Sequence, residues 1–591
     1  MLIPMKKLLS KYWKILLSVV FGLAVFLFWR YGYYFALSYQ EQFQLFLFDS
    51  GYFMDRISQP GGLARYVAEF LVQFFNSSTL GALILAILFV VLQCLTYLNI
   101  KGRIKKEVSE KEGSSTPNLQ SSIFNPQSSI FNFQSSIYLL SFLPPIALWF
   151  VMGDENVMLT YTVSLILAMV LMLVCPKKKL ACWAYLLVMI PVGYWLIGPM
   201  ILLVALCLMP LSVVYALACI FVSAYVVPYP LKQLMIGIDY YRFVDIVAYS
   251  LFIVPVIILF LYVGARYLPQ TKKSVTIGLG ILMTLLACVA CLYGYDKKKY
   301  ELIEYDYLVR IKNWNGIIAK AEKNMPDLPL SVCATNFALA MTNQLGERAF
   351  DFYQRGREGL LPPFERQFVL TQLTGEIYYH LGLINTAQRL AFETMEALPN
   401  YNKSGRMLKR LAETNMINGQ YAVARKYLQM LQKTIFYRPW AEKMLELLNH
   451  PQQINQHPVY GWLRKVRLQD NFLFSEDEVD KICGQLFLHE PSNMMAVQYL
   501  LMTPLLDKDI NRFMQYLQVV QEDIRYNPRV CQEAICIAFA QRNQQPPQGL
   551  VNPLVLNRFR EFVQTYGTNG SNTSALSGFR YSTWYYLMMG K

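Results

Sequence analysis

The chain has 591 residues, 55% of them hydrophobic and only 16% charged, with a formal net charge of +15. Soluble globular chains carry about 25% charged residues, so the composition argues against a wholly soluble protein. The positive excess gathers beside apolar segments, at Lys6, Lys7, Lys11 and Lys14, at Lys101, Arg103, Lys105 and Lys106, and at Lys177, Lys178 and Lys179. That pattern is a membrane-orientation signal rather than a nucleic-acid footprint.

A helix needs about 20 mainly apolar residues to cross a bilayer. Residues 15–35 meet this after a basic start, and the absence of a small-residue cleavage site predicts an uncleaved first span. A second span is predicted over 79–98. Residues 138–152 and 157–174 form a hairpin around Gly153-Asp154-Glu155-Asn156. The apolar run 180–229, broken at Pro191, Gly198-Pro199 and Pro210, holds two full spans or three short ones, and 246–267 and 275–293 follow. The sum is eight or nine. With nine, the loop carrying Arg266, Lys272 and Lys273 is cytoplasmic and the C-terminal domain lies outside. With eight, Lys297, Lys298 and Lys299 are inside instead. Short loops obey the positive-inside rule best, which favours nine, with a cytoplasmic N-terminus and a periplasmic C-terminal domain in the inner membrane.

Two loops of the membrane half stand out. The linker 99–136 carries a direct repeat, Gln-Ser-Ser-Ile-Phe-Asn, beginning at Gln120 and Gln127 and restarting at Gln134. Its Ser, Asn and Pro content predicts a duplicated disordered insertion rather than a coiled coil. The outer loop 36–78 contains two amphipathic stretches, 39–48 and 63–75, joined by Pro60-Gly61-Gly62, a sharp turn. Arg65, Glu69 and Gln73 recur at four-residue spacing and share one helix face, where Arg65 can pair with Glu69. Helices of this kind lie flat at a membrane surface or cap the bundle. The loop's carboxylates, among them Glu41 and Asp49, are candidate catalytic acids or bases. A later loop, Asp239-Tyr240-Tyr241-Arg242, is the other candidate, because ionisable residues in a membrane region are functional candidates by default. Tyr240 and Tyr241 would suit the headgroup level.

From about residue 296 the chain turns polar, helical and repetitive. Gly375, Tyr378, Gly382, Ala387 and Pro399, then Ala412, Gly419, Tyr421, Ala424 and Tyr427, follow a tetratricopeptide-like pattern, clearest over about 331–436. Small residues at Gly375, Ala387, Ala412 and Ala424 let paired helices approach, and tyrosines fill the spaces between hairpins. Residues 314–323 read as half of a degenerate first unit. The segment 565–575, rich in Gly, Ser, Asn and Thr, is predicted to be a loop. The aromatic stretch 581–589 either docks back on the domain or touches the membrane.

Pro60-Gly61-Gly62-Leu63 with Tyr66, Phe70-Leu71 and Gln73-Phe74-Phe75, the run Tyr194-Trp195-Leu196, and Gly237 with Asp239-Tyr240-Tyr241-Arg242 resemble a bacterial family of multi-pass membrane proteins carrying a domain of unknown function. The resemblance covers nearly the whole chain and implies architecture without an activity. In layout the chain is also similar to membrane glycosyltransferases that use polyprenyl-phosphate sugars. Those enzymes usually show paired acidic residues in the first outer loop, whereas Glu41 and Asp49 here are eight positions apart.

The 11 cysteines contain no CxxC pair and no zinc spacing, and the four histidines, His380, His450, His457 and His489, are scattered. No phosphate-binding glycine loop, HExxH or GxSxG occurs, so neither a cofactor nor a metal is expected. The sequence therefore predicts an all-α chain, with a polytopic bundle over 1–295 and a tetratricopeptide-like α-solenoid over 296–591. The leading functional expectation is a non-enzymatic envelope scaffold or assembly factor, embedded in the bilayer and binding a protein or peptide at the solenoid groove. The alternatives are a glycosyltransferase acting on a lipid-linked substrate, with Glu41 or Asp49 as base and Arg242 holding the phosphate, and a transporter.

Overall fold

The structure is a computed structural model describing residues 2–112, 135–264, 273–362, 368–468 and 478–589. The Gln-Ser-Ser-Ile repeat of the linker falls almost wholly outside the described residues, as does the loop with Arg266 and Lys272. Among the described residues the chain is all-helical, with only two isolated β-bridges, Val157 to Tyr241 and Arg355 to Arg357. It divides into two compact units. The first is Met1–Tyr300 together with Leu398–Ser404 and Lys433–Phe436, and the second is Glu301–Ala397, Gly405–Gln432 and Tyr437–Lys591.

The first unit begins with α1 (Leu2–Leu27), which runs on through a π-helical turn, Phe28–Gly32. Three short helices follow, α2 (Tyr34–Glu41), α3 (Ser50–Ile57) and α4 (Gly62–Val72), and then the long α5 (Ser78–Glu112). Next come α6 (Leu143–Val151), α7 (Leu159–Val174), α8 (Lys179–Ile197), α9 (Ile201–Leu208), α10 (Ser212–Ser223), α11 (Leu231–Ile236), α12 (Ile253–Gly264) and α13 (Lys273–Tyr293). Among the described residues four helical stretches are long and apolar enough to cross a membrane: Tyr12–Gly32, Ser78–Ile104, Lys179–Leu208 and Ser274–Tyr293. Shorter apolar helices include Ser135–Val151, Leu159–Val174, Ser212–Ser223 and Tyr249–Gly264.

The Lys179–Leu208 stretch is not straight. Gly198 has φ +67° and ends α8. The chain then folds back until Ile201 Cδ1 sits 2.6 Å from where a β-carbon on Gly193 would be. In a continuous helix these residues, eight apart, would be separated by about 12 Å. Helix α9 thus runs antiparallel to α8, and α10 turns again to run parallel to it, with Tyr215 Oη donating to Leu187 O at 3.3 Å and Ser223 Oγ to Tyr194 Oη at 3.2 Å.

Helix ends define two faces of this unit. On one, Lys14 Nζ donates to Tyr97 Oη at 3.3 Å and Ser136 Oγ meets Thr276 Oγ1 at 2.9 Å. The ends of α5, α7, α8, α9 and α12 also converge here around Arg103, Lys177 and Met209. On the other, Tyr33 packs on Tyr295 with ring centroids 4.5 Å apart, and Lys299 Nζ pairs with Glu155 Oε1 at 3.1 Å. A β-carbon on Gly153 there would lie 2.1 Å from Gly294 O. Both α1 and α13 therefore start on the first face and finish on the second. Between the faces, Ser18, Gln93, Tyr138 and Ser141 form a buried hydrogen-bonded network, with Ser18 Oγ donating to Gln93 Oε1 and Gln93 Nε2 to Ser141 Oγ, each at 2.7 Å. Such polar contacts tie apolar helices together.

The second unit is built from helical hairpins. After α14 (Lys297–Arg310) come α15 (Trp314–Lys323), α16 (Pro329–Met341), α17 (Leu345–Arg348), α18 (Phe368–Leu381), α19 (Ile384–Glu396), α20 (Gly405–Ile417), α21 (Tyr421–Gln432), α22 (Arg438–Asn449) and α23 (Tyr460–Val466). Helices α24 (Val479–His489), α25 (Met494–Leu506), α26 (Ile510–Asp523), α27 (Arg529–Gln541), α28 (Pro553–Asn569) and α29 (Thr583–Met589) complete it. Among the described residues one turn recurs six times. Lys312, Asn343, Gly382, Gly419, Lys508 and Asn543 all take φ between +53° and +97°. In each turn the next amide bonds back five residues: Asn313 to Leu308 O (2.9 Å), Gln344 to Leu339 O (2.7 Å), Leu383 to Tyr378 O (2.9 Å), Gln420 to Asn415 O (2.8 Å), Asp509 to Pro504 O (2.8 Å) and Gln544 to Phe539 O (2.9 Å). This is a left-handed C-cap that satisfies the last carbonyls of one helix and leads straight into the next.

The predicted motif residues occupy these hairpins. Tyr378, Ala387, Ala412 and Ala424 are buried, Gly419 makes one of the six turns, and a β-carbon on Gly375 would sit 3.6 Å from Leu390 Cβ. Helices α18 to α22 each pack on the next. The unit also makes contacts an open solenoid lacks, since solenoid repeats touch only their neighbours. Gln498 Oε1 accepts from Leu345 N at 3.2 Å, Asn493 Nδ2 donates to Leu381 O at 3.0 Å, and Arg529 Nη2 pairs with Asp351 Oδ1 at 2.7 Å.

Two expectations fail here. The stretch 565–569 belongs to α28 rather than a loop, because Thr565 and Thr568 return their hydroxyls to Glu561 O and Gln564 O and the helix ends only at Gly570, φ +57°. The stretch 39–48 is not one amphipathic helix. Helix α2 stops at Glu41, and the chain beyond it pairs through Leu45 N with Lys403 O (3.0 Å) and through Phe48 N with Lys433 O (2.8 Å). The final aromatic stretch docks back on its own unit, with Trp584 buried against Phe559 and Phe562.

Candidate functional site

The Pro60-Gly61-Gly62 turn organises the second face of the first unit. Gly61 takes φ +78° and its amide donates to Tyr194 O at 3.1 Å, while a β-carbon at Gly62 would lie 2.1 Å from Arg56 O. One glycine is therefore needed for its dihedral and the other for its lack of a side chain. The close approach of α3 and α4 brings Arg56, Arg65 and Glu69 together. Arg56 Nε bonds Glu69 Oε2 at 2.8 Å and Arg65 Nε bonds Glu69 Oε1 at 3.0 Å, and Tyr52 donates to the same carboxylate.

Arg65 Nε also lies 2.6 Å from Asp239 Oδ2, although its hydrogen points to Glu69. Asp239 Oδ1 accepts from Asn400 Nδ2 at 2.9 Å. Asn402 Oδ1 accepts from Arg65 Nη2 at 2.9 Å and from Arg56 Nη2 at 3.4 Å, and Gln59 Oε1 accepts from Arg65 Nη1 (3.0 Å) and Tyr229 Oη (3.1 Å). Two arginines meet two carboxylates, so the cluster is neutral, and all four are buried. Burial works against the charge of Arg56, but Glu69, Tyr52 and Asp239 together outweigh it and raise its pKa; Asp239, Glu69 and Tyr52 do the same for Arg65. Burial, with Glu69 beside it, pushes the Tyr52 hydroxyl up, so it remains a donor. These groups form a buried ionic clamp.

The predicted site residues do not converge. Asp239 belongs to the clamp. Arg242 donates to Tyr39 Oη at 2.9 Å with its guanidinium 4.0 Å from the Phe43 ring centroid, and burial lowers its pKa. Glu41 is buried at the end of α2. Asp49 is half-exposed and pairs with Lys433 at 3.0 Å. Tyr240 is buried, with its hydroxyl bonded to Ile197 O, rather than displayed at a headgroup level. Sequence reasoning found Arg65 with Glu69 but missed Asn400 and Asn402, which no local pattern connects to a loop more than three hundred residues earlier.

The second unit holds another ionic cluster. Arg406 Nη1 bonds Asp306 Oδ1 (2.9 Å), Asp306 Oδ2 (3.0 Å) and Gln372 Oε1 (2.8 Å). Arg410 bridges Glu376 (2.6 Å) and Glu413 (2.9 Å) and stacks 3.5 Å from the Tyr379 ring centroid. Burial alone would raise Glu376, but Arg410 and Arg406 hold it well below the usual carboxylate range. Burial pushes the neighbouring His380, packed on Trp314 and Phe337, down to about 4.

Each unit holds a cavity lined in part by aromatic side chains. One of about 220 Å³ in the first unit is apolar, between Tyr161, Met200, Leu203, Tyr240, Leu251 and Pro255. One of about 590 Å³ in the second unit is framed by Phe350, Phe352, Tyr353, Tyr581, Tyr585 and Tyr586, with Gln354, Ser577 and Arg580 as polar members. Among the described residues no group of three or more His, Cys, Asp or Glu is arranged to hold a metal ion. Residues 11–590 match the model of a family of unknown function, DUF6057. No curated protein and no solved structure matches the chain.

Proposed function

We propose that the chain, which belongs to the family of unknown function DUF6057, is a nine-pass membrane anchor carrying a tetratricopeptide-like scaffold that binds a protein partner outside the cytoplasm. Support for the membrane reading is the lipid-like exposure of the first unit, where Leu187, Phe260 and Leu285 are 63%, 73% and 58% exposed on apolar helices; soluble surfaces rarely gather such side chains. Support for nine passes is parity. Helix α1 and helix α13 begin on the same face and end on the other, which requires an odd number of crossings. The passes are α1, α5, the helix containing α6, then α7, α8, α9, α10, α12 and α13. The face with Lys14, Lys101, Arg103 and Lys177–Lys179 is the cytoplasmic one by the positive-inside rule, so the chain beyond Tyr295 continues outside.

The observation that carries the scaffold reading over the enzyme reading is the fate of the outer carboxylates. Glu69 is held by Arg56 and Arg65, Asp239 by Arg65 and Asn400, and Asp49 by Lys433. A glycosyltransferase base must stay available to its acceptor. The transporter reading has no comparable support, because the polar network between the faces, Ser18, Gln93, Tyr138 and Ser141, carries no charge. The aromatic cleft at Tyr353 and Tyr581 supports partner binding, since Tyr side chains in pockets are frequent anchors of interfaces.

Two measurements test this. A compartment-specific reporter fused after Lys591 is expected to signal outside; a cytoplasmic signal would overturn the nine-pass reading. A photo-crosslinking residue at Tyr353 or Tyr581 is expected to give one discrete protein adduct in cells, and the same probe at exposed Val563 none. Equal labelling from all three positions, or none from the cleft, rejects the partner site.

A further inference from the structure

Helices α7 and α8 join at a short turn on the face that carries Lys14, and each brings a cysteine to it. Cys175 ends α7, and Cys182 closes the first turn of α8. Cys175 Sγ donates to Cys182 Sγ at 3.1 Å, and both stand as thiols. A disulfide bond is about 2.05 Å long, so the two sulfurs have only about 1 Å left to close. The surrounding contacts already hold them in line. Tyr185 Oη, about one turn further along α8, donates to Leu171 O, about one turn earlier in α7, at 2.8 Å. Cys182 N donates to Lys178 O at 2.8 Å, which fixes the start of α8 against the turn. The two thiols differ in access. Cys175 is half-buried and Cys182 is buried, and both line one cavity of about 110 Å³.

A reachable thiol poised beside a sheltered one is the arrangement of an oxidisable cysteine and its resolving partner. We infer that Cys175 and Cys182 are a reversible oxidation site, closed to a disulfide by hydrogen peroxide. Cys175 Sγ takes one oxygen as the peroxide O–O bond breaks, which gives a sulfenic acid and one water. Cys182 Sγ then attacks Cys175 Sγ. The S–S bond forms, the S–O bond breaks, and the hydroxyl leaves with the Cys182 proton as a second water. The two thiols lose two electrons and the peroxide gains them. A small-molecule dithiol reverses the bond by two exchanges, giving its protons to both cysteines and becoming a disulfide itself. The transience of the bond rests on the nine-pass reading, in which this face is cytoplasmic and disulfides do not persist as structural links.

The test uses the full chain, purified in an uncharged detergent with its thiols reduced, treated with hydrogen peroxide, alkylated, and cut with trypsin without reduction. Lys177, Lys178 and Lys179 lie between the two cysteines, so cleavage separates their peptides unless a disulfide joins them. The joined pair is expected in the wild type, with two of the 11 thiols lost to alkylation and both regained after dithiothreitol. Cys182→Ser should stop at the sulfenic acid, so that dimedone labels Cys175. Cys175→Ser should leave Cys182 fully alkylated. Cys175 joined to other cysteines as often as to Cys182, or still fully alkylated after peroxide, overturns the inference. Equal dimedone labelling of Cys175 in the wild type and in Cys182→Ser also overturns it, because no resolving step then occurs. The chemistry is read in detergent, so its failure is distinct from a failure of the topology, which the reporter fusion reads.

Discussion

Arg65 and Asp239, 174 positions apart in sequence, meet at 2.6 Å, and the same guanidinium holds Glu69 at 3.0 Å. Removing one member of a buried ion pair strands the other charge and costs about 3–5 kcal/mol. Arg65→Ala and Asp239→Asn are each expected to lower thermal stability by that amount in detergent. The double variant should cost less than the sum, because neither charge is then left alone. Additive losses would show that the two side chains do not interact.

Gly62 and Gly567 make a matched pair of tests. Gly62→Ala forces a β-carbon within 2.1 Å of Arg56 O, a backbone atom that cannot move aside cheaply. A loss of more than about 2 kcal/mol is expected, with disruption of the Arg56–Glu69 pair. Gly567, inside α28, has nothing within 4 Å, so Gly567→Ala should stabilise by up to about 1 kcal/mol. Similar melting shifts for both would contradict the geometry.

The left-handed turns invite the reverse experiment. Lys508, φ +61°, pays for its side chain in that region. Lys508→Gly is expected to gain about 0.5–1 kcal/mol after the added flexibility of the unfolded chain is deducted. Gly382→Ala should lose stability, since its φ is +97° and Val466 Cγ2 stands 2.9 Å from the new carbon. Calorimetry that reverses either sign would rule out the cap.

Acid should weaken the second unit in two stages. His380 has a pKa near 4 in the fold against 6.5 unfolded. Between those values the unfolded chain binds a proton that the folded one does not, so stability falls as pH drops from about 6.5 to 4, by up to about 3 kcal/mol. Glu376, held low by Arg410 and Arg406, contributes stability present above about 4.5 and lost as pH falls further, through its folded value. Melting temperature against pH should slope in the first window for the wild type and stay flat there for His380→Gln. Superimposable profiles would dismiss the histidine.

Much of the architecture was legible because it is local. Apolar run length marked the long apolar helices, and Gly382 and Gly419, read as members of a repeat pattern, make two of the six hairpin turns, where glycine is the usual residue at positive φ. Lys312, Asn343, Lys508 and Asn543 take the same conformation without that signal, so those hairpins were harder to read. The clamp was legible only in part. The four-residue spacing of Arg65 and Glu69 is a helix property, whereas their meeting with Asp239 and Asn402 depends on how distant segments fold. The return of α25 and α27 onto α16–α18 is likewise absent from any repeat pattern.

Helix α9 has eight residues, about 12 Å of rise, whereas a hydrocarbon core is about 30 Å thick. On the nine-pass proposal it is too short to enter a bilayer as an independent segment during synthesis, and it would partition together with α8 and α10 as a three-helix package whose middle member is sheltered by its neighbours. The three passes then amount to one net crossing, so excising residues 198–211 and fusing α8 to α10 into one rod would leave α14 onward on the same side of the membrane.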